Sequence, residues 1–178
     1  VSKKVLVLSA SPREGGNSDM LCDQFILGAK EAGHQTEKIF LRDKEINYCT
    51  GCYVCKGNGS CAQKDDMPEI LEKMIAADVL VMATPVYFYS MNAQMKTVID
   101  RTCCRYTEIR NKDIYFIVSA ADTRKRYMKR TIEGFRGFTY CLPKARERGV
   151  IYGTNAWEIG DICESKAMKR AYKMGNKL

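Results

Sequence analysis

Val5-Leu-Val-Leu-Ser-Ala-Ser-Pro-Arg-Glu-Gly-Gly-Asn-Ser18 is a short apolar run that breaks into a hydroxyl-rich loop just ahead of a helical pattern. The run is continuously apolar rather than alternating, which is the mark of a strand covered on both faces, as in a parallel sheet. Four more short apolar runs follow, most of them likewise continuous: Thr36–Leu41, Val79–Ala83, Ile114–Val118 and Val150–Tyr152. Between them, apolar residues recur at helical spacing over residues 17–32, 68–75, 92–104, 124–141 and 164–175. Pro68 suits the first turn of its helix. Strand and helix alternate five times, so the chain reads as one α/β sandwich over residues 1–178. Its one long insertion, residues 43–65, holds a cluster of cysteines.

Size and composition agree with that reading. A chain of 178 residues, 46% apolar and 28% charged, can bury one ordinary core. No apolar run has the length of a membrane span. The opening residues carry two lysines but too short an apolar stretch for a secretory signal, so the expected location is the cytoplasm. The net charge of +8 gathers at Arg124–Arg130 and Lys144–Arg148. No recognition motif or stacking-aromatic module accompanies it, so neither nucleic acid nor membrane is expected as a partner.

In an open doubly wound sheet, ligands sit beyond the carboxyl ends of the strands, where the strand order reverses. The loops after the first, third and fourth apolar runs are therefore the places to look. The first, Ser9–Ser18, offers hydroxyls, an amide and Arg13 at a helix start, where unpaired N–H groups suit a phosphate. It is not G-x-G-x-x-G, so the dinucleotide fingerprint is missing. The second, Thr84-Pro-Val-Tyr-Phe-Tyr-Ser90, places three successive aromatics at a loop, fit to flank a flat ring or a partner subunit. The third, Ser119-Ala-Ala-Asp-Thr123, is small and polar and can approach a ring edge through its backbone. A phosphate at one end and aromatics at the other describe a mononucleotide with a planar head, which points to FMN.

Cys49, Cys52, Cys55 and Cys61 are spaced C-x2-C-x2-C-x5-C. Nine cysteines, an odd number, in a chain able to build a core without staples favour reduced thiols over disulfides. Four thiolates on a loop eased by Gly51, Gly57 and Gly59 can hold a [4Fe–4S] cluster. Zinc accepts the same donors, but usually from two separated knuckles. Four empty thiols are the third possibility. Cys22, Cys103, Cys104 and Cys141 read as packing residues. With His34 the only histidine, a Ser-His-Asp or Cys-His mechanism has nothing to stand on.

Ser-x-Ser-Pro-Arg-x-x-Gly-Asn-Ser at 9–18, the cysteine run leading into Lys64-Asp-Asp-Met67, and Thr84-Pro-Val-Tyr87 occur in this order. Together they resemble the flavodoxin-like NAD(P)H-dependent FMN reductase superfamily, and within it the iron–sulfur flavoproteins. The resemblance implies a three-layer sandwich around a five-stranded parallel sheet of order 2-1-3-4-5, with tightly bound FMN in a homodimer. It puts the FMN phosphate on Ser9, Ser11, Arg13, Asn17 and Ser18. It puts the ring against Pro85, Val86, Tyr87 and Phe88 and beside Ser119, Ala120, Ala121 and Asp122. It makes Cys49, Cys52, Cys55 and Cys61 the ligands of a [4Fe–4S] cluster. Two stretches depart from the iron–sulfur flavoproteins: Ala120–Arg124 replaces a glycine-rich loop, and Gly149–Asp161 looks more like plain NAD(P)H-dependent reductases.

The expected activity is an FMN-dependent oxidoreductase passing electrons between NAD(P)H or ferredoxin and a soluble acceptor, with no side-chain acid or base required. The alternatives are a cluster-free NAD(P)H-dependent reductase of quinones, azo compounds or flavin, and a non-enzymatic electron carrier or thiol sensor.

Overall fold

The structure is a computed structural model describing residues 1–178. In chain order it runs β1 (Lys4–Ser9), α1 (Asn17–Glu31), β2 (Gln35–Phe40), the one-turn α2 (Cys55–Asn58), α3 (Met67–Ala76), β3 (Val79–Tyr87), β4 (Ser90–Met91), α4 (Ala93–Arg101), β5 (Asp113–Ser119), α5 (Lys129–Cys141), β6 (Arg146–Gly153) and α6 (Lys166–Asn176). Five strands form a parallel sheet in the order β2-β1-β3-β5-β6, while β4 pairs antiparallel with β3 alone. Leaving out β4, this is the expected flavodoxin-like order.

Both faces of the sheet are buried because alternate residues on each central strand are all apolar. Leu6, Leu8, Leu80, Met82, Ile114 and Phe116 point to one side, where Ile70, Leu71 and Met74 of α3, Met95 and Val98 of α4, and Ile132 and Phe135 of α5 cover them. Phe116 and Phe135 stack there with centroids 4.9 Å apart. Val5, Val7, Val79, Val81 and Ile117 point the other way, onto Leu21, Cys22 and Phe25 of α1 and Ala167 and Ala171 of α6. Helices α1 and α6 touch backbone to backbone, since a Cβ on Gly28 would lie 2.1 Å from the Tyr172 carbonyl oxygen. Burial of the thiol in this layer pushes the Cys22 pKa up. Edge strand β2 is the exception, with only Ile39 buried.

The register brings the site loops to one edge: Ser9 lies opposite Ala83, and Pro85 and Gly153 lie on either side of Ser119. Asn92 locks this edge. Its amide donates to the Ala10 carbonyl, its N–H to Thr84 Oγ1 at 3.1 Å, and its Oδ1 caps α4 by accepting from Met95 N–H at 3.2 Å.

Boundaries differ from the sequence reading at β6, which begins at Arg146 rather than Val150, and at three further places. Strand β3 continues through Pro85 to Tyr87 and folds back as a hairpin. Helix α4 stops at Arg101, so Cys103 and Cys104 sit on a 3-10 turn. Helix α5 starts at Lys129, because Asp122 caps the Arg124 N–H at 2.9 Å and residues Lys125–Met128 form a 3-10 turn first. No helix is long and apolar enough to cross a membrane.

Candidate functional site

A cavity of about 440 Å³ opens at the carboxyl edge of β1, β3 and β5, a size typical of small-ligand sites. Ser11, Arg13, Asn17 and Ser18 form one end of it. Pro85, Val86, Tyr87 and Phe88 form a wall, and Ser119, Ala120 and Ala121 a second. Ser9 and Asp122 lie outside it. The Ser9 hydroxyl is buried and donates to Asp19 Oδ1 at 2.9 Å, and that carboxylate also receives Lys38 Nζ at 3.1 Å. Asp122 Oδ1 is spent on the turn at Arg124.

The phosphate-sized end is built from backbone. Gly16 is the N-cap of α1 and supplies no capping side chain, so the first-turn N–H groups point outward unclaimed. A Cβ on Gly16 would meet Ser11 Oγ at 2.3 Å and the Arg13 carbonyl oxygen at 3.2 Å, so only glycine lets the loop close this tightly. Ser11 Oγ in turn donates to the Arg13 carbonyl at 2.8 Å, holding the loop in shape. These open donors beneath a helix N-terminus, in a loop a Cβ would fill, fit the phosphate of FMN.

Sequence reasoning missed Pro12, Gly16, Ala156 and Trp157, which complete the lining. Arg13 Nη1 donates to the Trp157 carbonyl at 3.0 Å and Asn17 Nδ2 to the Glu158 carbonyl at 2.7 Å, while Asn17 Oδ1 accepts from Ile162 N–H at 3.3 Å. The loop after β6 is thereby strapped to the loop after β1. Trp157, the only tryptophan, stays 69% exposed at the cavity rim.

The aromatic wall ends in a two-residue hairpin turn. Phe88 and Tyr89 have φ of +48° and +63°, the left-handed region that side chains rarely adopt and that such turns usually fill with Asn-Gly. Phe88 is fully exposed at the tip. Tyr89 is held by the Tyr127 ring, 5.6 Å away between centroids, and its carbonyl accepts from Thr131 Oγ1 at 3.2 Å. Strain kept by surrounding contacts is characteristic of functional loops.

The cysteine loop is a separate lobe laced at its neck. Asp66 N–H donates to the Glu45 carbonyl at 3.0 Å, Glu45 N–H to Asp66 Oδ2 at 2.9 Å, and Asn47 N–H to Asp65 Oδ2 at 3.0 Å. Arg101 closes the neck from below through its paired hydrogen bonds to Asp65. Burial alone would raise the Asp65 pKa; the Arg101 guanidinium and the N–H groups of Asn47 and Met67 outweigh it and hold it down at about 2. All nine cysteines are free; Cys49 and Cys52 are exposed, Cys55 and Cys61 half-buried. The backbone N–H of Val54 and the Thr50 hydroxyl lower the Cys52 pKa. Four thiols on one loop are the donor set of a [4Fe–4S] cluster, and Arg101 Nε is a buried donor without an acceptor beside Cys61. The donors therefore fit in kind. In this conformation no three His, Cys, Asp or Glu side chains converge tightly enough to hold a metal ion.

Known proteins share both the sequence pattern and the architecture. An iron–sulfur flavoprotein of Archaeoglobus fulgidus is 40% identical over 98 residues, 55% of this chain and 44% of that protein. One from Methanocaldococcus jannaschii is 44% identical over 99 residues, 56% of this chain and 51% of that protein. The matched portion thus spans about half the length of these relatives. Among solved structures, an NAD(P)H:quinone oxidoreductase from Methanothermobacter marburgensis superposes with a TM-score of 0.74 at 20% identity, over 99% of this chain and 97% of its own. The NADPH-dependent FMN reductase family matches residues 3–135, and this chain belongs to it.

Proposed function

We propose that the chain binds FMN in the cavity at the carboxyl edge of the sheet and acts as an FMN-dependent oxidoreductase, moving electrons from NAD(P)H or ferredoxin to a soluble acceptor. One observation carries the reading: the uncapped start of α1, the hairpin wall and the Ser119–Ala121 loop open into a single cavity. Ser11, Arg13, Asn17 and Ser18 hold the phosphate with the first-turn N–H groups. Pro85, Val86, Tyr87 and Phe88 flank the ring, and Ser119, Ala120 and Ala121 meet its edge. Ser9 supports the loop from beneath through Asp19, and Asp122 shapes the turn.

Bound FMN supplies hydride acceptance and single-electron release. The chain's part is binding, orientation and exclusion of water. Arg13 is the sole formally charged side chain lining the cavity, and the Tyr87 phenol is the other ionisable group there. The protein works as a homodimer, consistent with the exposed hairpin aromatics.

Cys49, Cys52, Cys55 and Cys61 would hold a [4Fe–4S] cluster, which would supply one-electron chemistry. A second reading, a cluster-free NAD(P)H-dependent reductase, is favoured by the separation of the thiols in the present conformation. Iron and acid-labile sulfide on anaerobically purified protein separate the two. Oxidation of NADH or NADPH by the FMN-loaded protein with a quinone acceptor tests the activity; no turnover with either donor or with reduced ferredoxin contradicts it.

A further inference from the structure

A second cavity, of about 410 Å³, lies between Lys125, the end of β6 at Tyr152 and Thr154, and the start of α6 at Ser165, Lys166 and Arg170. The stretch from Gly153 to Ala156 divides it from the first. Gly153 lies opposite Ser119 in the sheet register, and the Ala156 N–H donates to the Ala120 carbonyl at 2.9 Å. Ser119, Ala120 and Ala156 line the first cavity, and Thr154 lines the second.

Three cations line this second cavity and no carboxylate does. The acids nearest in sequence are engaged elsewhere or lie outside it. Asp122 accepts from the Arg124 N–H at 2.9 Å and pairs with its guanidinium at 3.6 Å. Asp161 accepts from the Trp157 and Glu158 N–H groups, and the exposed Glu164 is not part of the lining. Lys166 is the first residue of α6, whose first turn holds no acid, so its charge opposes the helix dipole. Arg170 follows one turn later on the same face, where like charges repel. Lys125 Nζ sits over the Tyr152 ring, 5.3 Å from its centroid. Ser165 stands at the N-cap but makes no capping hydrogen bond, which leaves the Lys166 and Ala167 N–H groups open. Its Oγ is buried and has no partner at all. Each of these features is unfavourable in the empty chain, and an anion at the helix start would satisfy all of them together.

We propose that this cavity is a second anion site, separate from the FMN cavity, that takes the dianion of a phosphate monoester or of free phosphate. Arg170 supplies a guanidinium fork, Lys125 and Lys166 supply point charges, and Thr154 and Ser165 supply hydroxyls. Only Tyr152 and Ala167 add apolar lining, so charge provides the affinity. The volume leaves room beyond the phosphate for a sugar that carries it. The site stands whether or not the first cavity holds FMN.

The test is a titration of 15N-labelled, FMN-loaded protein with inorganic phosphate, followed by nuclear magnetic resonance against chloride of equal ionic strength. Saturable shifts are expected at the Thr154, Lys166 and Ala167 amides with phosphate and not with chloride. Lys166→Gln with Arg170→Gln is expected to weaken phosphate binding by at least about tenfold, with FMN affinity unchanged. Adenosine 2′-phosphate distinguishes the sources. Binding about tenfold tighter than inorganic phosphate, with shifts spreading to Ala120 and Ala156, identifies a phosphate carried on a ribose; equal affinities identify free phosphate. Shifts that match those in chloride, that stay at the Asn17–Asp19 amides of α1, or that survive unchanged in the double variant overturn the inference. If the variant does not fold, the wild-type shift pattern decides. If the protein takes up no FMN, the same titration on the flavin-free chain is read at the α6 amides alone, so the two proposals fail separately.

Discussion

Arg101 and Asp65 meet in a bidentate pair at the neck of the cysteine lobe, with side chains 1% and 2% exposed. A buried pair of this kind is costly to break from one side, because the surviving charge is stranded. Asp65→Ala is expected to lower unfolding stability by about 3–5 kcal/mol, read by urea denaturation. A loss below about 1 kcal/mol contradicts the role given to the pair.

The same pair sets an acid limb of stability. The folded pKa of Asp65 lies below its ordinary 3.8, at about 2. Its contribution is therefore complete above pH 4–5 and disappears as the pH falls through the folded value. A shift of that size is worth about 2 kcal/mol. Denaturation followed from pH 5 down to pH 2 is expected to show this loss in wild type and a flatter profile in Asp65→Asn.

Gly16→Ala tests the phosphate loop without altering any charge. The added methyl collides with Ser11 Oγ and crowds the Arg13 carbonyl, so the loop must open. FMN affinity is expected to drop by at least about tenfold, equivalent to roughly 1.4 kcal/mol, while circular dichroism keeps the helical content. Unchanged affinity would remove the phosphate from this loop.

The left-handed turn at Phe88 and Tyr89 makes opposite predictions for stability and binding. Phe88→Asn with Tyr89→Gly installs the turn residues this hairpin prefers, and the turn itself is expected to become less strained. Loss of the exposed ring beside the cavity and of the Tyr89–Tyr127 contact is expected to weaken FMN binding. Calorimetric titration and a melting curve on the double variant check both; tighter FMN binding refutes the wall assignment.

The central strands were legible in the sequence because both of their faces are buried, so Val79–Ala83 reads as an uninterrupted apolar run. The hairpin after it was not. Thr84-Pro85 reads as a strand end, and Phe88-Tyr89 lacks the Asn-Gly signal of a two-residue turn. The resemblance puts Ser9 among the phosphate residues; strand alternation, which turns its hydroxyl inward to Asp19, is a feature of the folded strand. Trp157 and Ala156 could not be assigned to the cavity, since Arg13 and Asn17 bind that loop across more than 140 residues of chain. The cysteine spacing was plain, whereas the path of the loop, which keeps any three of the thiols from converging, was not. Arg101 carried no signal as a neck residue, because its partners lie 36 and 54 positions earlier.

Trp157 at the cavity rim supplies the most direct test of FMN binding, being the single indole of the chain. The purified protein, stripped of flavin, is titrated with FMN while tryptophan emission is recorded. The account predicts saturable quenching at one FMN per chain, weakened by Gly16→Ala. Emission that falls only in proportion to added FMN, with no saturation and no difference between wild type and variant, would contradict it.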